Sequence, residues 1–223
     1  MRAAWAILRK DLRLEMRTFE TVPAMALFSL TTFVIFHFGL NQDQLKGQLA
    51  AGVLTVTLLF AALLGINRLF VAEREQGGFD GFLLAPVDRS SMLLAKASAL
   101  FIYMVVLELI CVPAFGLLAA PPRFGSALPY VALLLVLVDL AFAVIGALVS
   151  AIAVQTRARD LIGPIIGLPL LLPALIGVAR GLGPAFSAHG SQAPSGKWLL
   201  ILALYDVVNA LIAYAVFDFL LED

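Results

Sequence analysis

The sequence predicts an all-α polytopic membrane protein with six transmembrane helices, and three observations support this fold class. The first is composition, because 62% of the residues are hydrophobic and only 13% are charged. Soluble domains average about 45–50% apolar and about 25% charged residues. The second observation is a series of apolar runs long enough to cross a bilayer. The third is an uneven distribution of lysine and arginine among the connections between those runs.

The apolar runs define the spans. A spanning helix needs about 20 mostly apolar residues, and the stretches that meet this need are about 22–40, 48–70, 93–119, 127–154, 161–180 and 198–220. Backbone polar groups in lipid must be hydrogen-bonded within the protein, and the runs lack the alternation of barrel strands. We therefore expect helices. Little sequence remains for a soluble domain, so we expect residues 1–223 to form a single transmembrane domain.

The connections differ in their basic residues. With both termini on one side, that side holds Arg2, Arg9, Lys10, Arg13, Arg17, Arg68, Arg74, Arg89, Lys96, Arg157 and Arg159. The other side holds only Lys46, Arg123, Arg180 and Lys197. Basic residues accumulate in cytoplasmic loops. Both termini are therefore predicted to be cytoplasmic.

The first twenty residues form an amphipathic segment whose charges argue against a cleavable signal peptide. At helical spacing one face holds Trp5, Leu8, Leu12, Met16 and Phe19, and beside it gather Arg2, Arg9, Arg13 and Arg17. This pattern is typical of a helix that lies in the plane of the lipid headgroups. A short soluble helix or a frayed tail is the alternative.

The longest connection on the basic side lies between the second and third runs. Charged residues fill it up to Glu75, and an apolar trio follows at helical spacing: Phe79, Phe82 and Leu83. Pro86 ends that turn. An apolar helix face on the water side of a membrane protein fits the groove of a partner. Packing of the same face against the protein's own spans explains the pattern equally well.

This connection also carries a recognisable series: Glu73-Arg74-Glu75-x-Gly77, then Leu84-x-Pro86, then Lys96. Before it, the second span reads Ala51-Gly52-Val53-Leu54, then Ala61-Ala62-Leu63-Leu64, then Arg68-Leu69-Phe70. The series resembles the signature that follows the second span of ABC-2 type permeases. Together the two stretches resemble, more narrowly, the heme exporter protein B (CcmB) family of cytochrome c maturation. The resemblance is close over residues 50–96 and loose over the whole chain.

The resemblance implies a permease domain in the bacterial inner membrane and a coupling helix that docks on a separate ATPase subunit. Its implied partner-binding residues are Glu73, Arg74, Glu75, Gly77, Phe79, Phe82, Leu83 and Pro86. It also implies a CcmA-like ATPase, CcmC- and CcmD-like membrane proteins and a heme chaperone as partners. The implied work is to couple ATP hydrolysis to heme export or to release of the chaperone.

The sequence lacks the residues of an enzyme or a cofactor protein. The only Gly-Lys pair, Gly196-Lys197, is followed by Trp198 rather than the Ser or Thr of a phosphate-binding loop. We therefore expect ATP to be bound by a partner. Cys111 is the single cysteine, which excludes an internal disulfide. The balanced charge, 15 basic against 15 acidic residues, gives no indication of nucleic acid binding.

Two histidines, His37 and His189, are the only candidates to ligate heme iron. Neither is accompanied by a second axial ligand or an aromatic box, so we assign no cofactor or metal site. Heme remains possible as a substrate of the complex. His37 fits better as an interfacial polar group near a span end, and His189 as a solvated residue of the loop before the last span.

Three acids stand in the middle of predicted spans: Glu108, Asp139 and Asp206. Charged residues cost roughly 2.5–3.5 kcal/mol each at a helix centre, so they should face protein or a watery cavity. They indicate either a polar pathway and partner contacts or ordinary hydrogen bonding between helices. In the fifth run, Pro164, Pro169 and Pro173 predict breaks that suit either a moving gate or plain packing.

Other functions remain open on the sequence. An ABC-2 permease for lipid, drug or polysaccharide has the same spans, and so does a membrane scaffold that transports nothing. A pure scaffold, however, gives no reason for an apolar docking turn after Glu73-Arg74-Glu75-x-Gly77.

Overall fold

The computed structural model describes residues 2–40, 42, 44–70, 89–122, 124–154, 159–187 and 195–220. These ranges contain seven helices: α1 (Arg2–Thr18), α2 (Thr21–Gly39), α3 (Gly47–Arg68), α4 (Arg89–Leu118), α5 (Phe124–Val154), α6 (Arg159–Ala185) and α7 (Gly196–Leu220). The last six are long and apolar enough to cross a membrane, which confirms the predicted fold class. The predicted coupling helix lies outside the described residues.

Helices α3 and α5 form the centre of the bundle. About 72% of the spanning part of α3 and 61% of that of α5 are buried, against 22% in α2 and 17% in α7. Small residues permit close approach at the centre, and those of α3 are Ala50, Ala51, Ala61, Ala62 and Gly65. Around the centre, α6 packs on both α3 and α5, while α2 and α7 leave most of their apolar surface outward.

We call the end of the bundle that holds α1, the last turn of α3 and the first turn of α4 the motif end, and the other the opposite end. At the opposite end the backbone N–H of Leu45 donates to the carbonyl of Ala119 at 2.8 Å, and that of Gly47 donates to Phe186 at 3.0 Å. The ring of Phe115 contacts Phe33 and Phe186 with centroids 5.4 and 5.7 Å apart. These contacts join α2, α3, α4 and α6 on that side.

The predicted breaks in the fifth run are wrong, because α6 is one continuous helix through Pro164, Pro169 and Pro173. Neighbouring helices hold it together. The hydroxyl of Tyr205 in α7 donates to the carbonyl of Leu170, which ties the middle of α6 to α7.

Glycines give α6 its close contacts with the rest of the bundle. An added Cβ at Gly163 would lie 2.6 Å from Oδ1 of Asn67, and one at Gly177 would lie 3.0 Å from Cδ2 of Leu202. The small residues of α6 therefore face α3 on one side and α7 on the other. This observation favours plain packing over a gate.

The amphipathic α1 packs on α4. Its buried residues are Ala4, Ile7, Leu8 and Asp11, whereas Trp5 and Met16 are exposed. Leu8 thus departs from the face that it was predicted to share with Trp5. The reason is that α1 has a side that packs on the protein next to an exposed apolar side, and Leu8 lies on the former.

Candidate functional site

The end of α3 leads into the 71–88 connection, and a buried lysine binds the chain at this point. Nζ of Lys96 in α4 donates to the carbonyl oxygen of Leu69 at 2.9 Å. The same ammonium lies 4.9 Å from the centroid of the Phe70 ring. A cation at a helix C-terminus satisfies a free carbonyl and complements the helix dipole. Because Leu69 and Phe70 are themselves buried, the segment just before the 71–88 connection is fixed in the bundle.

The charge of Lys96 is balanced by α1. Nζ lies 2.9 Å from Oδ2 of Asp11, and the side chains of the two residues are only 2% and 8% exposed. The Lys10 ammonium lies 3.0 Å from Oδ1 of the same carboxylate. In addition, the Tyr103 hydroxyl donates to the backbone carbonyl of Asp11 at 3.4 Å. A buried charge needs such a partner, so α1 is tied to α4 and, through Lys96, to the end of α3.

Two further helices contact the same turn of α3. Oγ of Ser150 in α5 donates to the carbonyl of Ile66 at 2.9 Å. Gly146, one turn earlier, leaves so little room that a Cβ there would lie 2.7 Å from Cγ1 of Ile66. In α6, Gly163 lies against Asn67. The end of α3 is thus enclosed by α4, α5 and α6, and a force applied to it would reach all three.

The residues predicted to bind an ATPase subunit, from Glu73 to Pro86, lie outside the described residues. The described residues include only the segment that leads into this region, Leu69 and Phe70, which Lys96 contacts. Of the anchoring residues, the resemblance had drawn attention only to Lys96 and the Arg68-Leu69-Phe70 run. Asp11 was missed, although an acid at the centre of the apolar face Ile7-Leu8-Leu12 was a signal for a buried counter-ion.

The mid-span acids divide into a pair and a single residue. The carboxyl groups of Glu108 in α4 and Asp139 in α5 interact with each other. Asp139 is fully buried, and neither of its oxygens nor Oε1 of Glu108 has a hydrogen-bond partner among the described residues. Asp139 thus faces protein, as expected of an acid in the middle of a span.

Asp206 of α7 does not take part in this interaction. It is 9% exposed, and neither of its oxygens has a hydrogen-bond partner among the described residues. The structure therefore brings two of the three acids together and leaves the third alone.

The other polar candidates have structural contacts. Nδ1 of His37 lies 2.7 Å from the carbonyl oxygen of Leu118, so the ring donates and joins α2 to α4 at the opposite end. Cys111 is buried, and its thiol interacts with the hydroxyl of Ser29. His189 lies outside the described residues. Among the residues that are described, no group of three His, Cys, Asp or Glu side chains could hold a metal ion.

A family model described as CcmB protein matches residues 2–220, nearly the whole chain. The chain belongs to the CcmB family. It is 29% identical to heme exporter protein B of Rhodobacter capsulatus over 172 residues, which cover 77% of this chain and 78% of that protein. It is 30% identical to heme exporter protein B of Bradyrhizobium diazoefficiens over 181 residues, covering 80% and 81% respectively.

A third relative, heme exporter protein B of Pseudomonas aeruginosa, is 27% identical over 198 residues, or 88% of this chain and 86% of the relative. The family match runs from the first residue of α1 to the last residue of α7. It therefore includes both members of the Asp11–Lys96 pair and all three mid-span acids. This CcmB family member is a multi-pass membrane protein.

Proposed function

We propose that this chain is the permease subunit of a heme exporter complex in c-type cytochrome maturation. Residues 1–223 form its single permease domain. The subunit couples ATP hydrolysis on a separate CcmA-like ATPase to heme export or to release of a heme chaperone. CcmC- and CcmD-like proteins are its membrane partners, and heme is a substrate of the complex rather than a cofactor of this chain.

The observation that carries this proposal is the contact of Lys96 with the carbonyl of Leu69. A coupling element has to transmit a displacement to the spans. A flexible junction between that element and the spans would absorb the displacement. Lys96 and Ser150 fix the carbonyls of the turn from which the 71–88 connection departs. Movement of that connection would therefore be transferred to α4, α5 and, through Asp11, to α1.

In this proposal the subunit itself is non-catalytic. Its orientation places the motif end in the cytoplasm of a bacterial cell, where an ATPase finds ATP. In support, α1 with its arginines, the end of α3 and the start of α4 all gather at that one end. The ATPase docks on Glu73, Arg74, Glu75 and Gly77, with Phe79, Phe82 and Leu83 in its groove and Pro86 ending the helix.

The test is a change of Phe82 to Asp. Burial of a Phe or Leu side chain is worth roughly 1.5–3 kcal/mol, and a buried unpaired carboxylate adds to that loss. We expect Phe82→Asp to release the ATPase during purification while the membrane protein stays inserted, and cytochrome c maturation to stop.

Two matched variants control for the new charge and for the lost ring. Gln76→Asp places an acid in the same connection and should retain the ATPase, and Phe82→Leu should retain it because the side chain stays apolar. If Phe82→Asp copurifies with the ATPase and the ATPase rate is normal, this connection is not the coupling element.

A further inference from the structure

The helix α1 has a third side that neither packs on the protein nor is apolar. Taking about 100° per residue, the exposed Trp5 and Met16 lie roughly 110° from the buried side. Arg9, Arg13 and Arg17 lie roughly 80° further round. If the apolar side dips into the bilayer, the arginine side is placed at the height of the lipid headgroups.

The three arginines are exposed, and no ion pair joins them to a described acid. The two acids of α1 are engaged elsewhere. Asp11 pairs with Lys96, and Oε1 of Glu15 accepts the backbone N–H groups of Thr21 and Val22 at 2.9 and 2.8 Å. The acids that could neutralise the arginine side from within α1 are thus held away from it.

An open cleft of about 520 Å³ runs along this side of α1, lined only by side chains of that helix: Trp5, Ala6, Arg9, Lys10, Arg13, Leu14 and Arg17. Its lining combines guanidinium groups with the apolar surfaces of Trp5 and Leu14. Guanidinium groups present paired N–H donors that match the oxygens of a phosphate. An occupant with a phosphate and an adjoining apolar part satisfies both kinds of surface.

We propose that this cleft is a binding site for an anionic phospholipid of the leaflet in which α1 lies, with the phosphate between Arg9, Arg13 and Arg17 and the glycerol and upper acyl chain against Trp5. The phosphate is shared with soluble anions, but the apolar lining and the neighbouring lipid-facing side of α1 select the lipid. The site does not depend on the subunit's substrate or on its ATPase.

Trp5 lines the cleft and provides a local probe. The chain has two tryptophans, so a Trp198→Phe background leaves Trp5 as the only indole. The protein is reconstituted in vesicles of phosphatidylcholine, and brominated phosphatidylglycerol or brominated phosphatidylcholine is titrated in while Trp5 fluorescence is followed. We expect a preference for phosphatidylglycerol on the order of tenfold at low salt, which falls as salt rises.

The combined Arg9→Gln, Arg13→Gln and Arg17→Gln variant should quench equally with both lipids. A matched control removes three exposed basic residues from the opposite end, with Lys46→Gln, Arg180→Gln and Lys197→Gln, and should keep the preference. Inorganic phosphate should not compete. If the triple arginine variant does not fold, Arg13→Gln alone should at least halve the preference. A preference that survives loss of the arginines, or that inorganic phosphate abolishes, overturns the proposal.

Discussion

Lys96 and Asp11 form a buried ion pair with 2.9 Å between Nζ and Oδ2, and it joins the third span to the N-terminal helix. The lysine also donates to the carbonyl of Leu69. One ammonium group thus holds three separate parts of the chain together beside the connection that the proposed function assigns to the ATPase. Loss of either partner of the pair leaves an uncompensated charge in an apolar site.

Lys96→Met is therefore expected to destabilise the protein. Removal of one member of a buried pair costs about 3–5 kcal/mol, whereas the double change Asp11→Asn with Lys96→Met should recover part of that loss because no charge remains unpaired. Thermal unfolding in detergent of the wild type, both single variants and the double variant measures the coupling. The exposed Lys197→Met serves as control. Strictly additive losses would show that the two side chains do not interact.

The topology follows from the basic residues and is tested by thiol labelling. In a Cys111→Ser background, single cysteines replace Gln44, Gln76, Gln155 and Gln192. An impermeant reagent applied from outside should label positions 44 and 192 only, because the motif end is expected to be cytoplasmic. Labelling at position 76 would reverse the topology and remove the basis for an ATPase at that site.

The interaction of Glu108 with Asp139 predicts that substitutions of the two acids affect stability non-additively. Because Glu108 and Asp139 interact with each other, the changes Glu108→Gln and Asp139→Asn should be non-additive by about 0.5–3 kcal/mol in thermal unfolding. Asp206→Asn should add independently to either. Cytochrome c maturation is measured beside stability. If an amide variant assembles normally but loses maturation, the carboxyl group has a role beyond packing; wild-type behaviour of all three leaves packing alone.

Gly146 is expected to tolerate no side chain. A Cβ there would lie 2.6 Å from Cδ2 of Leu100 and 2.7 Å from Cγ1 of Ile66, and both residues are buried. Gly146→Ala should destabilise by about 1–3 kcal/mol through overpacking. The control Gly52→Ala has open space around the new Cβ and should be neutral or stabilising, since Ala favours a helix by about 1 kcal/mol over Gly. Equal effects at both sites would contradict the close packing of α3 against α5.

The sequence predicted the six spans because apolar length is a strong signal in a bilayer. It did not predict that α6 continues through Pro164 and Pro169, since the packing that supports a helix around proline comes from other helices. The sequence also did not predict which side of α1 packs on the protein. Amphipathic spacing separates apolar from polar residues, but it does not distinguish a lipid-facing Trp5 from a protein-facing Leu8.

The candidate site was predicted in part. Lys96 was found by resemblance, but its contacts with Asp11 and Leu69 depend on how three distant segments meet. The pairing of Glu108 with Asp139 likewise depends on how α4 and α5 are rotated about their axes. The apolar residues on both sides of each acid do not reveal that rotation.

The Asp11–Lys96 pair has a consequence for the order in which the protein is assembled. Asp11 is synthesised first, and two complete spans must be inserted before Lys96 emerges, so α1 cannot take its final place until the third span arrives. Until then its buried side, including Ile7, lacks its partner α4, and the Asp11 carboxylate has only Lys10 beside it. Closure of the pair therefore marks completion of the N-terminal half of the bundle, and a ribosome stalled between α3 and α4 would leave α1 accessible to protease.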